Sequence, residues 1–369
     1  MSVIRWWPRL LTWLRAQRQG VRIWRHGCQA RWLVRCRPEL LRGLSPEAFA
    51  LHGRFRGLSV NRANLLRLQL DRVMRPQELQ ELLLAWLASQ EPSPALSGLL
   101  SETLTDAPAL LRQPAPFDEA VLVRNLRPAQ LRWYRAADGR EEAPRRLVVA
   151  FTSNANALAM IAPCFLQLIH PFASDVVLVV RDQPHHRSYY GAEAEASLLA
   201  RILQVVHDLR PSSSWGRVAT IGYSGGGVAA LVAAWALGAD RGVSLGGWPP
   251  QGAVPIDAAW LEALRGTLPA ARKAAPQLLL CCAEGCRGDR QGTLLAERLV
   301  QGWPLPPEAV QTRAYAGCRD HNLLVELQRR GYALAPVVAD LLGVDEPLKT
   351  VTSVRFRRRA RWRPLSECP

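Results

Sequence analysis

Residues 217–237 read RVATIGYSGGGVAALVAAWAL. The stretch opens on β-branched residues between Val218 and Ile221 and closes on Ala and Leu, which are strong helix formers. Between them lie Gly222, Gly225, Gly226, Gly227 and a single serine, Ser224. A strand that turns into a helix through glycine can cradle a phosphate, raise a nucleophile or simply turn. A Walker loop requires a lysine directly after glycine. The chain has only two lysines, Lys273 after Arg272 and Lys349 after Leu348, so that loop is excluded. A dinucleotide fingerprint accepts Gly222 and Gly227 but needs glycine where Ser224 stands. Gly222-Tyr223-Ser224-Gly225-Gly226 does match the Gly-x-Ser-x-Gly nucleophile elbow. In such a turn the residues two before and two after the serine crowd together, so both must be very small.

The surrounding rhythm agrees with that reading. Continuous apolar runs occur at Leu147–Phe151, Val176–Val180 and Leu278–Cys282, the largely β-branched Val218–Ile221 lies among them, and amphipathic stretches separate them. One such stretch places Leu198, Leu199, Ile202, Val205, Val206 and Leu209 on one stripe. Apolar strands alternating with helices predict a mostly parallel sheet with helices on both faces, an α/β fold. No internal repeat is evident.

On these residues the chain resembles the α/β-hydrolase superfamily over roughly residues 130–344. The resemblance implies an α/β-hydrolase-like sheet and an order of nucleophile, then acid, then histidine along the chain. Seven histidines are present, and only His321 follows Ser224. It sits in AYAGCRDHNLL, past an expected strand, where the family carries its base. The acid is expected in QLLLCCAEGCRGDRQG. Asp289 is preferred there, with Glu284 as an alternative near the strand end and Asp257 as another after GVSLGGW. Asp320 adjoins His321 and is ranked low, because adjacent side chains point apart. The oxyanion hole is assigned to the amides of Gly225 and Ser153. Asn154, His185, His186 and Tyr223 are assigned to substrate contact. His185 and His186 are adjacent and lack a spaced carboxylate, so no metal site is expected, and the chemistry requires no cofactor.

These readings imply a serine hydrolase that cleaves an ester or thioester through an acyl-enzyme, with a small-molecule acyl ester or thioester as substrate. An acyltransferase would use the same site. A non-catalytic membrane-peripheral binding or scaffold protein on a hydrolase fold is the reading from another class.

Composition bounds the rest. The length of 369 residues suits about two domains, and 49% hydrophobic residues suffice for a large core. The net charge is +16, yet residues 1–37 alone hold nine arginines and no acid, and residues 350–363 hold six more with no acid. The basic character therefore belongs to the two ends. Trp6, Trp7, Trp13, Trp24 and Trp32 lie among the first set of arginines. Tryptophan with arginine suits an anionic membrane surface. An arm packing its Trp face on its own body is the competing reading. No nucleic-acid module accompanies the charge, so nucleic acid is not the expected partner. The domains expected are a basic arm at 1–38, a mainly helical N-terminal region at 39–125, the hydrolase-like domain at 126–344 and a basic tail at 345–369. The eight cysteines lack paired CxxC spacing. With no secretory leader recognisable, they read as reduced thiols of a cytoplasmic protein.

Overall fold

The apolar runs become the inner strands of one sheet. The computed structural model describes residues 79–81, 117, 122–126, 129–136, 146–153, 158, 160, 162–173, 175–181, 189–209, 215–250, 256–268, 275–344 and 362–365. The arm at 1–38, nearly all of the region 39–125, Asn154, His185, His186 and most of the tail at 345–369 lie outside these residues. The chain divides into two compact units, 1–112 and 113–369. In the first, residues 79–81 are helical, with Leu79 and Gln80 buried.

In the second unit the strands are β1 (Leu122–Asn125), β2 (Ala129–Arg135), β3 (Arg146–Phe151), β4 (Asp175–Arg181), β5 (Arg217–Tyr223), β6 (Arg241–Leu245), β7 (Gln277–Ala283), β8 (Val310–Tyr315) and β9 (Trp362–Arg363). The helices are α1 (Ala162–Ile169), α2 (Leu198–Leu209), α3 (Gly227–Leu237), α4 (Ala258–Gly266), α5 (Arg287–Gln301), α6 (Leu323–Arg329) and α7 (Leu334–Leu342). The sheet order is β1-β2-β4-β3-β5-β6-β7-β8-β9. Pairing is parallel from β4 through β8 and antiparallel at β1–β2, β2–β4 and β8–β9.

Both faces of the sheet are covered. Leu147, Val149 and Phe151 of β3 join the core that contains α2, α3 and α4. Val148 and Ala150 alternate with them and are equally buried, so they point to the opposite face. There α7 lies on β5 and β6 and packs on α1. All eleven residues of α3 are buried, which explains why its sequence is apolar on every side. Its end is set by Gly238, whose φ of 58° is the left-handed C-cap conformation that glycine adopts readily.

The strand order reverses at β3. The chain leaves β3 toward β4 on one side and returns to β5 on the other. The carboxyl ends of β3 and β5 therefore flank a topological switch point, where ligands bind in open α/β sheets.

Part of the basic tail is sheet. Trp362 pairs with Tyr315 and Arg363 with Ala314. The Arg313 guanidinium lies 4.3 Å from the Trp362 ring centroid and forms an ion pair with Asp340. Leu365 is buried with Cys282 and Ala314. Replacing it with alanine removes packed side-chain volume from an edge that two strand residues hold. Leu365→Ala is expected to lower unfolding free energy by about 2–3 kcal/mol, read by urea denaturation, whereas a loosely attached tail would show no change.

Candidate active site

The turn after β5 explains its own glycines. A Cβ on Gly222 would stand 2.1 Å from the Gly226 carbonyl oxygen. One on Gly226 would stand 2.5 Å from the Phe151 oxygen and 2.6 Å from the Thr152 oxygen. One on Gly227 would meet Ser244 Oγ at 2.4 Å. The turn is thus wedged between the ends of β3 and β6, and at these three positions no side chain larger than hydrogen fits. Ser224 has φ 51°, the sole positive φ on a non-glycine residue among the described residues. A left-handed serine costs roughly 1–2 kcal/mol and is held only where the surroundings over-determine it. Ser224–Gly226 form a short 3-10 turn that runs directly into α3. Gly225 is the residue after the serine. Phe151 pairs with Gly222, which brings the β3 end, Thr152 and buried Ser153, alongside the turn.

His321 and Asp289 come from separate elements. His321 lies between β8 and α6, and Asp289 lies in the first turn of α5. Their side chains meet, with His321 Nδ1 2.5 Å from Asp289 Oδ1. Asp289 is 2% exposed. Its place in the first turn of a helix favours a carboxylate there, because the free N–H groups and the helix dipole are positive at that end. The Tyr223 ring, adjacent to Ser224 in sequence, lies 5.1 Å from the imidazole, centroid to centroid. Gly246, with φ 57°, closes the arrangement from β6. A Cβ on it would stand 3.1 Å from Asp289 Oδ2 and 3.2 Å from His321 Nδ1.

The loop carrying His321 is braced by a residue that sequence reading did not single out. Glu326 accepts hydrogen bonds from the backbone N–H groups of Arg319 and Asp320, at 2.5 and 2.6 Å. Arg330 Nη2 donates to the other Glu326 oxygen at 2.8 Å. The available signal was an acid in the first turn of the helix that follows the histidine.

The other carboxylates considered are engaged elsewhere. Glu284 accepts from the Gly317 N–H at 2.9 Å. Asp257 caps α4 by accepting from the Trp260 N–H at 2.9 Å. Asp320 accepts from the Asn322 N–H at 3.0 Å. None of these contacts is to His321.

The hydrogen bond to Asp289 raises the His321 pKa above its ordinary value. Burial opposes this, and the charges of Asp289 and Asp320 add to the rise. The Tyr223 phenol is raised well above its ordinary range, chiefly by burial and then by the Asp289 charge, so it stays neutral. Among the described residues, no three of His, Cys, Asp and Glu gather as metal ligands. No described helix is long and apolar enough to cross a membrane.

No family model matches this chain, and no curated protein matches it. Solved structures do. An esterase from Pyrobaculum calidifontis is 16% identical, with a TM-score of 0.36, over 58% of this chain and 80% of that one. A thermophilic carboxylesterase cloned from a metagenomic library is 16% identical, with a TM-score of 0.40, over 67% of this chain and 94% of that one. The 2,6-dihydroxy-pseudo-oxynicotine hydrolase is 16% identical, with a TM-score of 0.38, over 80% of this chain and 84% of that one. At these values the likeness assigns no role to any residue here.

The geometry of the serine turn makes a stability prediction. Ser224→Gly removes the left-handed strain, whereas Ser224→Ala keeps it. The glycine variant is expected to be more stable than the alanine variant by about 1 kcal/mol, measured by chemical denaturation. Equal stability would mean that the turn carries no strain at this position.

Proposed function

We propose that the chain is a serine hydrolase that cleaves an ester or thioester through an acyl-enzyme on Ser224. The observation that carries this reading is the left-handed Ser224 at the switch point, one residue from a tyrosine that lies against the hydrogen-bonded His321–Asp289 pair. Asp289 engages Nδ1, which makes Nδ1 the protonated nitrogen and leaves the Nε2 lone pair as the base. In the first step Nε2 takes the hydroxyl proton as Ser224 Oγ bonds to the carbonyl carbon, and the carbonyl electrons move onto oxygen. The Gly225 and Ser153 amides are the donors proposed for that oxyanion. The carbon–oxygen or carbon–sulfur bond then breaks, and imidazolium Nε2 gives its proton to the leaving alcohol or thiol. Water repeats the sequence on the acyl-enzyme and releases a carboxylic acid and free Ser224. Asp289 keeps the imidazole in this tautomer and stabilises the cation that forms twice per turnover.

Labelling by a fluorophosphonate probe tests the nucleophile. Wild type is expected to be labelled and Ser224→Ala to be unlabelled. Labelling of both, or of neither, overturns the assignment.

The pH dependence tests the base. His321 must be neutral to accept the proton, and its pKa is raised, so kcat/KM for a simple ester should climb through a limb above pH 6.5, the ordinary histidine value. Asp289→Asn removes the largest cause of that rise. The residual activity, lower by about 10^4-fold, should then show its limb at lower pH. A limb that stays in place would mean that another group is titrating.

A further inference from the structure

β6 ends at Leu245, and the three residues after it each touch a different part of the site. Gly246 packs on Asp289 and His321, and a Cβ on Gly247 would stand 3.1 Å from the Cα of Gly227 at the start of α3. Trp248 reaches α5. A Cβ on Gly292 would stand 2.8 Å from Trp248 Cε2, 2.8 Å from Nε1 and 2.9 Å from Cδ2. Three ring atoms at nearly one distance mean that the face of the indole, not its edge, rests on Gly292. A Cβ on Gly288, one turn earlier, would stand 3.9 Å from Cζ2 of the same ring. The indole therefore lies along the glycine side of the first two turns of α5, and Asp289 is the residue that follows Gly288.

Each half of this contact has a cost that its partner offsets. Glycine inside a helix is less favourable than alanine by about 1 kcal/mol, and Gly292 is an interior, buried position of α5. Trp248 keeps 36% of its surface in solvent, so full burial is not what holds it. Any side chain at 292 would push the ring away. The N-cap residue of α5, Cys286, makes no full side-chain capping hydrogen bond, and its thiol lies beside the backbone N–H groups of Gly288 and Asp289. A thiol is a weak acceptor, so the first turn, which carries the acid, draws on further contacts to hold its direction.

We propose that Trp248 is a positioning residue: its ring, seated on Gly288 and Gly292, fixes the first turn of α5 and hence the Asp289 carboxylate against His321 Nδ1. The inference rests on the assignment of Asp289 and His321 as the acid and base that serve Ser224. The contacts that seat Trp248 are with Gly288 and Gly292 of α5. It acts through the helix.

The test reads the ionisation of His321 by NMR on full-length protein with 13C-labelled histidine, assigned with a His321→Gln variant, alongside hydrolysis of a neutral 4-nitrophenyl ester. In Trp248→Ala the Asp289 hydrogen bond loosens, so the His321 pKa should fall by about one unit. kcat should fall by up to about a hundredfold with KM little changed. Trp248→Phe keeps a flat ring and should restore most of both. Gly292→Ala should reproduce the loss in the wild-type background and add little to Trp248→Ala, because it disturbs the site only by displacing that ring. Overturning results are an unchanged His321 pKa in Trp248→Ala, or additive effects of the two substitutions. If Trp248→Ala fails to fold, Trp248→Phe and Gly292→Ala carry the same comparison. Failure of the hydrolase reading looks different: wild type then turns over no ester and takes no fluorophosphonate, while the NMR titration still reports whether Trp248 couples to the Asp289–His321 pair.

Discussion

The whole site depends on how closely the turn after β5 is allowed to approach its neighbours. Gly222 and Gly226 come within a distance that excludes a Cβ, and Gly226 presses on the carbonyls of Phe151, the last residue of β3, and of Thr152 beyond it. That contact lets α3 start immediately beyond the strand, on top of the sheet. It also holds Ser224 at a positive φ. A looser turn would let the serine relax to an ordinary backbone angle and swing its hydroxyl away. The strain persists because the packing beneath leaves no alternative.

The core supplies the rigidity this requires. The helix that follows the serine is buried along its entire length. It lies between α2 and α4 on one side and the sheet on the other. A helix that cannot shift keeps its start in place, and the 3-10 turn that carries the serine runs directly into that start. Interiors packed at crystal-like density transmit such constraints with little compliance. The same logic extends to β6, where Gly246 and Gly247 let a strand end lie against both the start of α3 and the His321–Asp289 pair.

Electrostatics completes what packing begins. Asp289 is taken out of solvent but sits where a helix start is positive, and its oxygen meets the imidazole nitrogen. The result is a histidine whose proton affinity is raised by one neighbour against the opposing effect of burial. Glu326 does a parallel service for the loop, since its carboxylate collects two backbone N–H groups just ahead of His321. Both carboxylates sit in the first turn of a helix, one meeting the His321 ring and the other holding its loop.

Local chemistry made much of this legible in the residues alone. Unbroken apolar runs of only five or so residues, bounded by polar ones, suit strands covered on both faces, whereas the longer apolar run of α3 is a buried helix; the inner sheet was readable on that basis from Leu147–Phe151, Val176–Val180 and Leu278–Cys282. The glycines flanking Ser224 were readable because a tight strand-to-helix turn has a steric requirement written at fixed spacing. His321 stood out in the sequence because only one histidine follows Ser224, and folding brings it to Asp289. Choosing among Asp289, Glu284 and Asp257 was not settled by spacing, because three carboxylates in loops look alike until each finds its hydrogen-bond donors in space. The tail residues from Trp362 to Leu365 read as charge alone. Their place on β8 depends on Arg313, Asp340 and a sheet edge that come together only when the chain has folded. Trp248 and Gly292 are 44 positions apart, and neither carries a pattern that names the other. The sequence by itself determined the layers, the turn and the serine, since these follow from period and steric volume. The tertiary structure alone decided which carboxylate meets the histidine and what braces it, since those depend on distances between segments far apart in the chain.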